Sequence, residues 1–354
     1  MRREDLDTLL DELADAPGPK VTLTLPTHRH APDADQDRIR LKNLAKQASH
    51  DLEAHTRDRE ELVSLRKRLD GLEHGLDQRQ LDHGLAVFVS VDGTRQVHLA
   101  HTPIERALVA DRFATRELHR DVSETTEAWV LALSLGGNDT DGTQLYRLQR
   151  GHLEEHRDDV LPAEWDIRDR GDVRFGAESR PPSPQRDAYI EDFLRRTEEH
   201  VAGIVGKESI VVAGIERLRS HHRAVTRLGD QIIAEVDGNF DRSPPSELAH
   251  AAEAALVDAQ EQRLEVVAAH IDEHVADAHV ALGIDDCERL ASEGRVDRLV
   301  LEHSYLEPIM VDDVAIGDRV EIAIRQTHEH GGTIVAVDDD RLADHGRIAA
   351  LLRW

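Results

Sequence analysis

The chain has 354 residues, and because one domain usually has about 100–200 residues, this length predicts two or three domains. It carries 44 Lys and Arg against 71 Asp and Glu, which gives a formal net charge of -27. A single cysteine, Cys287, excludes an internal disulfide and a multi-cysteine metal site, and no stretch approaches the roughly 18 apolar residues of a membrane span. We therefore expect a cytoplasmic protein.

The strong acidity predicts a salt-rich cytoplasm, as in a halophile. Self-repulsion on this scale disfavours a compact chain in dilute buffer, whereas at about 1 M salt the Debye length is only ~3 Å and the repulsion is largely screened. In an ordinary cytosol, a charge of -27 would argue against nucleic-acid binding. In a salt-rich cytosol the same charge gives little evidence for or against nucleic-acid binding.

The first predicted segment, 1–122, is an α+β domain. It opens with the acidic amphipathic helix "MRREDLDTLLDEL" and the alternating strand "VTLTLPT" at 21–27. A long helical region follows from about Asp35 to Leu72, and "HGLAVFVSVDG" and "TRQVHLA" form a hairpin that turns at Asp92-Gly93.

The second predicted segment, 123–262, is an α/β domain. Its strand "AWVLALSL" (128–135) crosses a polar turn and returns as "QLYRLQRG". An irregular stretch at 156–186 precedes the helix "RDAYIEDFLRRTEEHVAGIV" and the buried strand "SIVVAGI". A helix of some thirty residues then begins near "SPPS", which supplies serine caps and first-turn prolines.

The third predicted segment, 263–354, is a small α/β layer with helices on both faces. It alternates helix and strand through "GIDDCERLASEGR", "VDRLVLEH", "GDRVEIAIRQTHEHGG" and "TIVAVD", and it ends with "DRLADHGRIAALLRW" as a final helix. We expect Cys287 to lie buried on the first of these helices.

One motif has the spacing of a metal site. "HIDEH", from His270 to His274, fits H-x-x-E-H, in which two histidines on one helix face hold Zn²⁺ and Glu273 acts as a base. The alternative is a solvated helix face, which a chain with 22 histidines and many acids produces readily by chance. We expect no cofactor, with His270 and His274 as the metal-ligand candidates.

Two clusters of cations are candidate phosphate contacts. Arg217, Arg219 and Arg223 concentrate positive charge in "RLRSHHRAVTRLGD", and Arg38, Arg40 and Lys42 do so near the N-terminus. Arginine forks suit phosphate. The alternative for both clusters is ion pairing with the acidic surface.

Three blocks in this order resemble one family: "VTLTLPTH" with "QDRIRLKNLAKQA", then "AWVLALS…QLYRL…DAYIEDFLRRTEEHV…SIVVAGIE", and last "ASEGRVDRLVLE…GGTIVAVDD…GRIAALLRW". Together they resemble the bacterial and archaeal release-factor-like proteins, the baeRF group, which are related to archaeo-eukaryotic peptide-chain release factor and Pelota. The resemblance implies three domains at 1–122, 123–262 and 263–354, the last with the α/β/α fold of kink-turn-binding ribosomal proteins.

The same resemblance identifies "RFGAESRPPSPQRD", residues 174–187, as the place of the catalytic Gly-Gly-Gln loop of release factors. Paired glycines allow positive φ and a close approach to the ester, and the glutamine amide orients the attacking water. Here the lone candidate, Gln185, follows prolines that fix φ and favour an extended backbone. Arg174, Arg180 and Arg186 make the stretch a cationic candidate RNA contact.

We therefore predict a ribosome-associated factor without Gly-Gly-Gln chemistry, which binds ribosomal or transfer RNA in hibernation, rescue or stress. A translational GTPase is a further expected partner, whereas DNA and membranes are not. The alternative is a peptidyl-tRNA hydrolase or a tRNA-cleaving enzyme of ribosome quality control, with Gln185 or a nearby arginine acting in the loop.

Overall fold

The structure, a computed structural model, describes residues 3–14, 16–28, 33–72, 83–124, 127–136, 141–149, 151–165, 183–273 and 279–354. They form two compact units, one of Met1–Thr125 with Leu264–Trp354 and the other of Thr126–Arg263 (the middle unit). The division into three domains at 1–122, 123–262 and 263–354 stays a prediction. None of the helices among these residues is both long and apolar enough to cross a membrane.

The N-terminal part of the first unit is a four-stranded antiparallel sheet with helices on both faces. Its elements are α1 (Arg3–Ala14), β1 (Lys20–Pro26), α2 (Asp33–His55), α3 (Arg59–Gly71), β2 (Gly84–Val89), β3 (Thr94–Leu99), β4 (Arg106–Ala110) and α4 (Arg116–Glu124). The strand order is β3-β2-β1-β4. Alternate residues of β2 supply the two cores, since Leu85 and Val87 pack with α2 and α3, and Phe88 packs with α1 and α4.

The predicted helical region 35–72 divides into two helices because Asp58 caps a new one. Its side-chain Oδ1 accepts hydrogen bonds from the backbone N–H groups of Glu60 (2.8 Å) and Glu61 (3.3 Å). This N-cap satisfies donors that the preceding helix cannot reach. The predicted hairpin of β2 and β3 is confirmed, with Val89 opposite Thr94.

The C-terminal part of the first unit is a mixed sheet with helices on both faces, as predicted. Its elements are β10 (Val280–Leu282), α8 (Gly283–Ser292), β11 (Val296–Glu302), β12 (Pro308–Val311), β13 (Val314–Asp318), α9 (Arg319–Glu329), β14 (Thr333–Val337) and β15 (Ile348–Leu352). The strand order is β10-β15-β11-β14, and β12 and β13 form a separate hairpin. Cys287 is fully buried on α8.

The prediction of a final helix in "DRLADHGRIAALLRW" is wrong. Gly346 and Arg347 have positive φ values of 73° and 64°, which break any helix, and the following residues form β15. This strand lies between β10 and β11 and pairs antiparallel with both. A short apolar run such as "IAALL" has no alternation because a central strand is buried on both faces, so its pattern does not distinguish strand from helix.

A buried charge cluster joins the N-terminal and C-terminal parts of the first unit. Glu321, at the start of α9, accepts hydrogen bonds through Oε2 from the backbone N–H of Thr115 (2.8 Å) and of Arg116 (3.2 Å). It thereby caps α4 with a side chain that lies more than 200 residues further along the chain. Asp318 caps α9 through Val320 N–H (2.9 Å) and pairs with Arg106 Nη2 at 2.8 Å.

The middle unit is a five-stranded sheet in the order β7-β6-β5-β8-β9. Its elements are β5 (Ala128–Ala132), β6 (Gln144–Gln149), β7 (His152–His156), α5 (Ser183–Val205), β8 (Ile210–Gly214), α6 (Glu216–Val225), β9 (Ile232–Asp237) and the first part of α7 (Pro245–Glu273). The predicted β5–β6 hairpin and the 29-residue α7 are confirmed. Helices α5 and α6 cover one face of the sheet, and Leu248 and Ala252 of α7 cover the other.

Candidate functional site

Three neighbouring strands of the middle unit are parallel and end at the same edge of the sheet. Ala132 of β5 pairs with Ala213 of β8, and Gly214 of β8 pairs with Asp237 of β9. In open α/β sheets, ligands bind outside the carboxyl ends of the strands. This edge is therefore the expected position of a ligand-binding site.

A cavity of about 330 Å³ lies at this edge. The segments that follow the three strands contribute to it, together with the first turns of α5 and α6. Its lining residues are Leu133, Ser134, Leu135, Gly136, Trp165, Arg186, Ile190, Ile215, Arg217, Leu218, Gly238, Asn239 and Asp241. The lining thus combines apolar side chains and an indole ring with two arginines and three other polar side chains.

Two glycines at the ends of β8 and β9 lie close to other residues beside the cavity. A Cβ on Gly214 would lie 3.1 Å from Leu133 Cβ, and one on Gly238 would lie 2.9 Å from the ring of Phe240. Both glycines also have φ values that side chains rarely adopt, +155° and +158°. A larger residue at position 214 would push the chain ends of β5 and β8 apart, and one at position 238 would have to displace the ring of Phe240.

Residues on both sides of the segment predicted to replace Gly-Gly-Gln line this cavity. Trp165 is the last residue described before it, and α5 begins at Ser183, so the prediction of an irregular stretch up to residue 186 is wrong for its last four residues. Arg174 and Arg180 lie outside the described residues. Gln185 lies in the first turn of α5, and its side chain is outside what the structure describes.

Arg186 and Arg217 are the predicted contact residues that the structure brings together. The Nε of Arg186 is buried and has no hydrogen-bond partner among the described residues. Arg217 is half exposed, and its Nη2 donates to Asp187 Oδ1 at 2.9 Å. Both side chains line the cavity, and the half-exposed Arg217 has donors that a ligand can use.

Arg219 has a different environment, although it lies only two residues from Arg217. It is 7% exposed. Its Nε donates to the carbonyl of Gly214 (2.9 Å), and its two terminal nitrogens donate to Glu235 (2.7 Å) and Asp237 (2.8 Å). This side chain ties α6 to the ends of β8 and β9.

Arg223 is held by carboxylates as well. It donates through Nε to Glu235 Oε1 at 2.8 Å and through Nη1 to Glu216 Oε1 at 2.9 Å. Hydrogen bonds from Arg223 and then Arg219 keep the pKa of Glu235 below its ordinary value, although burial opposes them. For Arg219 and Arg223 the structure thus shows the ion pairs that the sequence left open as the alternative.

The candidates of the first segment lie on α2, in the other unit. Arg38 and Lys42 are exposed and one helical turn apart, so they share a face. Arg40 Nη1 lies 3.0 Å from Oδ1 of Asp37, a carboxylate that is itself buried and also contacts His28. Arg38 and Lys42 remain the predicted phosphate contacts on this helix.

Of the two histidines in the H-x-x-E-H motif, the structure describes only the first. His270 lies near the end of α7, whereas His274 is outside the described residues. Within the motif, Asp272 Oδ1 contacts His345 Nε2 at 2.7 Å. In the part of the chain that the structure describes, no three His, Cys, Asp or Glu side chains are grouped so that they could hold a metal ion.

Comparison with known protein families finds a match to one part of the chain. Residues 129–295 match the family described as bacterial archaeo-eukaryotic release factor family 3. The predicted resemblance is confirmed over this segment. The release-factor-like segment (residues 129–295) contains the whole cavity, both ends of the loop, and Arg186, Arg217, Arg219 and Arg223.

Solved structures with low sequence identity are similar along much of the chain. The archaeal translation termination factor aRF1 is 15% identical, with 100% of this chain and 99% of that chain covered and a TM-score of 0.25. Archaeoglobus fulgidus Pelota is 17% identical, with 77% and 79% covered and a TM-score of 0.34. Archaeal Pelota, from a model of ribosome-bound Pelota and ABCE1, is 13% identical, with 100% and 95% covered and a TM-score of 0.42. No curated protein matches the sequence significantly.

Sequence reasoning missed part of the cavity. Trp165, Asn239 and Asp241 were not singled out, and β9 was not recognised as a strand. The available signal was position, because Asn239 and Asp241 come directly after a strand of the release-factor-like segment. Only the parallel pairing of β8 with β9 shows that the residues after β9 lie beside Arg186 and Arg217.

A buried pair in the release-factor-like segment makes its stability depend on pH. Glu198 of α5 and His222 of α6 are 4% and 2% exposed, and Nε2 of His222 lies 2.9 Å from Oε2 of Glu198. Burial raises the pKa of Glu198, but His222 and a 2.7 Å hydrogen bond from the Arg227 N–H outweigh burial, so the net pKa lies below its ordinary 4.5. The charged carboxylate therefore stabilises the folded middle unit at neutral pH.

We expect the free energy of unfolding of the middle unit to fall as the pH drops below about 4.5 and through the lowered folded pKa of Glu198. The sign follows because the unfolded state binds this proton first. Chemical unfolding followed by tryptophan fluorescence at several pH values measures the effect. The Glu198→Gln variant, which keeps an oxygen for the Arg227 N–H, should lose less stability over this range than the wild type. Equal losses would contradict the assignment.

Proposed function

We propose that this protein is a ribosome-binding translation factor that presents the loop 166–182 and the adjoining cavity to RNA. The observation that carries the proposal is the family match, which covers the middle unit from β5 to α7 and includes the position of the release-factor loop. In support, the described residues on either side of residues 166–182 include Trp165 and Arg186, which line one cavity together with Arg217.

The proposed action is binding without peptidyl-tRNA hydrolysis. No Gly-Gly-Gln triplet occurs in the sequence, and "RPPSPQ", which spans the end of the loop and the first residues of α5, stands where the triplet would be expected. Pro181, Pro182 and Pro184 restrict φ to about -65°, whereas the hydrolytic loop needs the freedom of paired glycines. A stiff loop with arginines suits contact with RNA, which fits a role in ribosome hibernation, rescue or another stress response.

The proposed partners are ribosomal RNA or tRNA, with a translational GTPase as a further candidate, and the proposed location is the cytoplasm. The net charge of -27 would repel RNA in dilute buffer, but molar salt in a halophilic, archaeal cytoplasm would screen it. The same salt also weakens contacts between arginine and phosphate. Binding under such conditions would depend on apolar and stacking contacts as well as on charge.

Sedimentation with ribosomes tests the proposal. We expect the wild-type protein from stationary-phase cells to sediment with ribosomes, and a variant with Arg174→Ala and Arg180→Ala to bind more weakly. A plot of log affinity against log salt has a negative slope, and each lost phosphate contact should make that slope less negative by about 1. The matched control removes Arg195 and Arg196 of α5, which contact Asp192 on the same helix. A wild-type protein that stays in the soluble fraction in every growth phase would contradict the proposal.

A release assay tests the absence of hydrolysis. Ribosomes loaded with peptidyl-tRNA should release no more peptide with the protein than without it, and Gln185→Ala should change nothing. Release that depends on Gln185 would instead establish the hydrolase alternative.

A further inference from the structure

We propose that the cavity at the carboxyl edge of the middle sheet binds one nucleotide unit, with its phosphate on Arg186 and Arg217 and its base against Trp165. The inference rests on the proposed function only for the source of the nucleotide, which is either the end of a single-stranded RNA or a free nucleoside monophosphate. The cavity itself is a property of the middle unit.

The first argument is the state of the two arginines. Arg186 lines the cavity, and its Nε is buried without a hydrogen-bond partner among the described residues, which is costly for a donor of a charged group. An anion in the cavity would offset the positive charge of this guanidinium group. Arg217 makes one 2.9 Å bond to Asp187, so most of its five donors remain available for a second oxygen of the same phosphate.

The second argument is the apolar part of the wall. Trp165 supplies a large aromatic surface, and Leu133, Ile190 and Ile215 line the same space. Stacking on an aromatic side chain accepts any base, because every base has a π-face. A ligand with both a flat aromatic part and an anionic part therefore fits this wall better than an inorganic phosphate does.

The third argument concerns size and the remaining polar groups. A volume of about 330 Å³ lies at the small end of ligand cavities and leaves no room for a duplex. Asn239 and Asp241 follow β9 and offer acceptors to sugar hydroxyls, as acidic residues do at the same edge of other nucleotide-binding sheets. The carboxylate of Asp241, which lines the cavity, would repel a triphosphate, so a single phosphate is expected.

Binding of 5′-AMP and of a single-stranded RNA trinucleotide to the full-length protein tests this proposal, by calorimetry and by quenching of tryptophan fluorescence. We expect both to bind the wild type, and Arg186→Ala to weaken binding by about tenfold or more, the effect of one charge-assisted contact. Arg195→Ala, on the same helix but outside the cavity lining, removes the same charge and should change affinity by less than about twofold. Thermal unfolding of each variant separates loss of binding from loss of folding.

The outcomes differ in what they decide. Tighter binding of the trinucleotide identifies an RNA end as the source, and equal or tighter binding of 5′-AMP identifies a free nucleotide. No heat and no quenching with either ligand would overturn the proposal, as would equal weakening by Arg186→Ala and Arg195→Ala. A protein that binds 5′-AMP but never sediments with ribosomes upholds the cavity and contradicts the proposed function. A protein that sediments with ribosomes but binds neither ligand upholds the proposed function and contradicts the cavity proposal.

Discussion

Replacing Glu321 with alanine is expected to lower the free energy of unfolding of the first unit by about 3–5 kcal/mol, the usual cost of removing one partner from a buried charge pair. The Glu321 side chain is 10% exposed and holds two backbone N–H groups at the start of α4. Its Oε1 lies 3.7 Å from Arg106 Nη1 and 4.0 Å from Arg116 Nε. No other element of the first unit supplies these two N–H groups with an acceptor among the described residues.

The loss is large because Arg116 would remain buried with less compensation. This side chain is 4% exposed, and burial already lowers its pKa, against the favourable charges of Glu321 and Asp318. Its Nε and Nη2 have no hydrogen-bond partner among the described residues. Burial likewise raises the pKa of Glu321, and Arg116 and Arg106 oppose that rise. The buried positive charge of Arg116 and the buried negative charge of Glu321 thus stabilise each other.

Native-state hydrogen exchange of the amides in α4 and α9 measures this effect for the first unit separately from the middle unit. The matched control is Glu329→Ala on α9, which removes an exposed partner of Arg325 and should cost less than about 1 kcal/mol. Glu321→Gln, which keeps an oxygen for the N–H groups, should fall between the two. Similar exchange in the Glu321→Ala and Glu329→Ala variants would show that the cluster adds no stability.

Replacing Arg219 with methionine is expected to destabilise the middle unit by about 2–4 kcal/mol. Methionine keeps the apolar stem but removes bonds to the Gly214 carbonyl, to Glu235 and to Asp237. The cost should stay below that of a fully buried triad, because the Asp237 side chain is 69% exposed and can regain water. Urea unfolding followed by tryptophan fluorescence measures it, since Trp129 and Trp165 both belong to this unit.

Arg217→Met is the matched control, because that side chain is half exposed and its ion pair is worth at most about 1 kcal/mol. The two variants should also separate in function. Arg219→Met should sediment with ribosomes like the wild type wherever it is folded, whereas Arg217→Met should bind 5′-AMP more weakly at unchanged stability. An Arg219→Met protein of normal stability that no longer binds ribosomes would make Arg219 an RNA contact instead of a structural clamp.

Patterns that depend on neighbouring residues were readable from the sequence. The alternation in "VTLTLPT", the turn at Asp92-Gly93 and the helix that buries Cys287 all lie where the sequence indicated. So does the release-factor-like resemblance of the middle unit. The strand, the turn and the helix each result from contacts or backbone preferences within a few residues, and such contacts leave a local period or a turn signature.

Features that depend on distant partners were not readable. "IAALL" is a strand because β10 and β11 flank it, and its apolar run is the same for a buried helix. Arg217 and Arg219 are two residues apart in one cationic stretch, yet one lines a cavity and the other clamps β8 to β9. Helical geometry turns them to different sides of α6, and the acceptors that define their roles come from β8, β9 and α5. Residue types and local spacing thus indicated most of the elements and the release-factor-like resemblance of residues 129–295, whereas the role of each arginine depended on which carboxylates the fold brought within hydrogen-bonding distance.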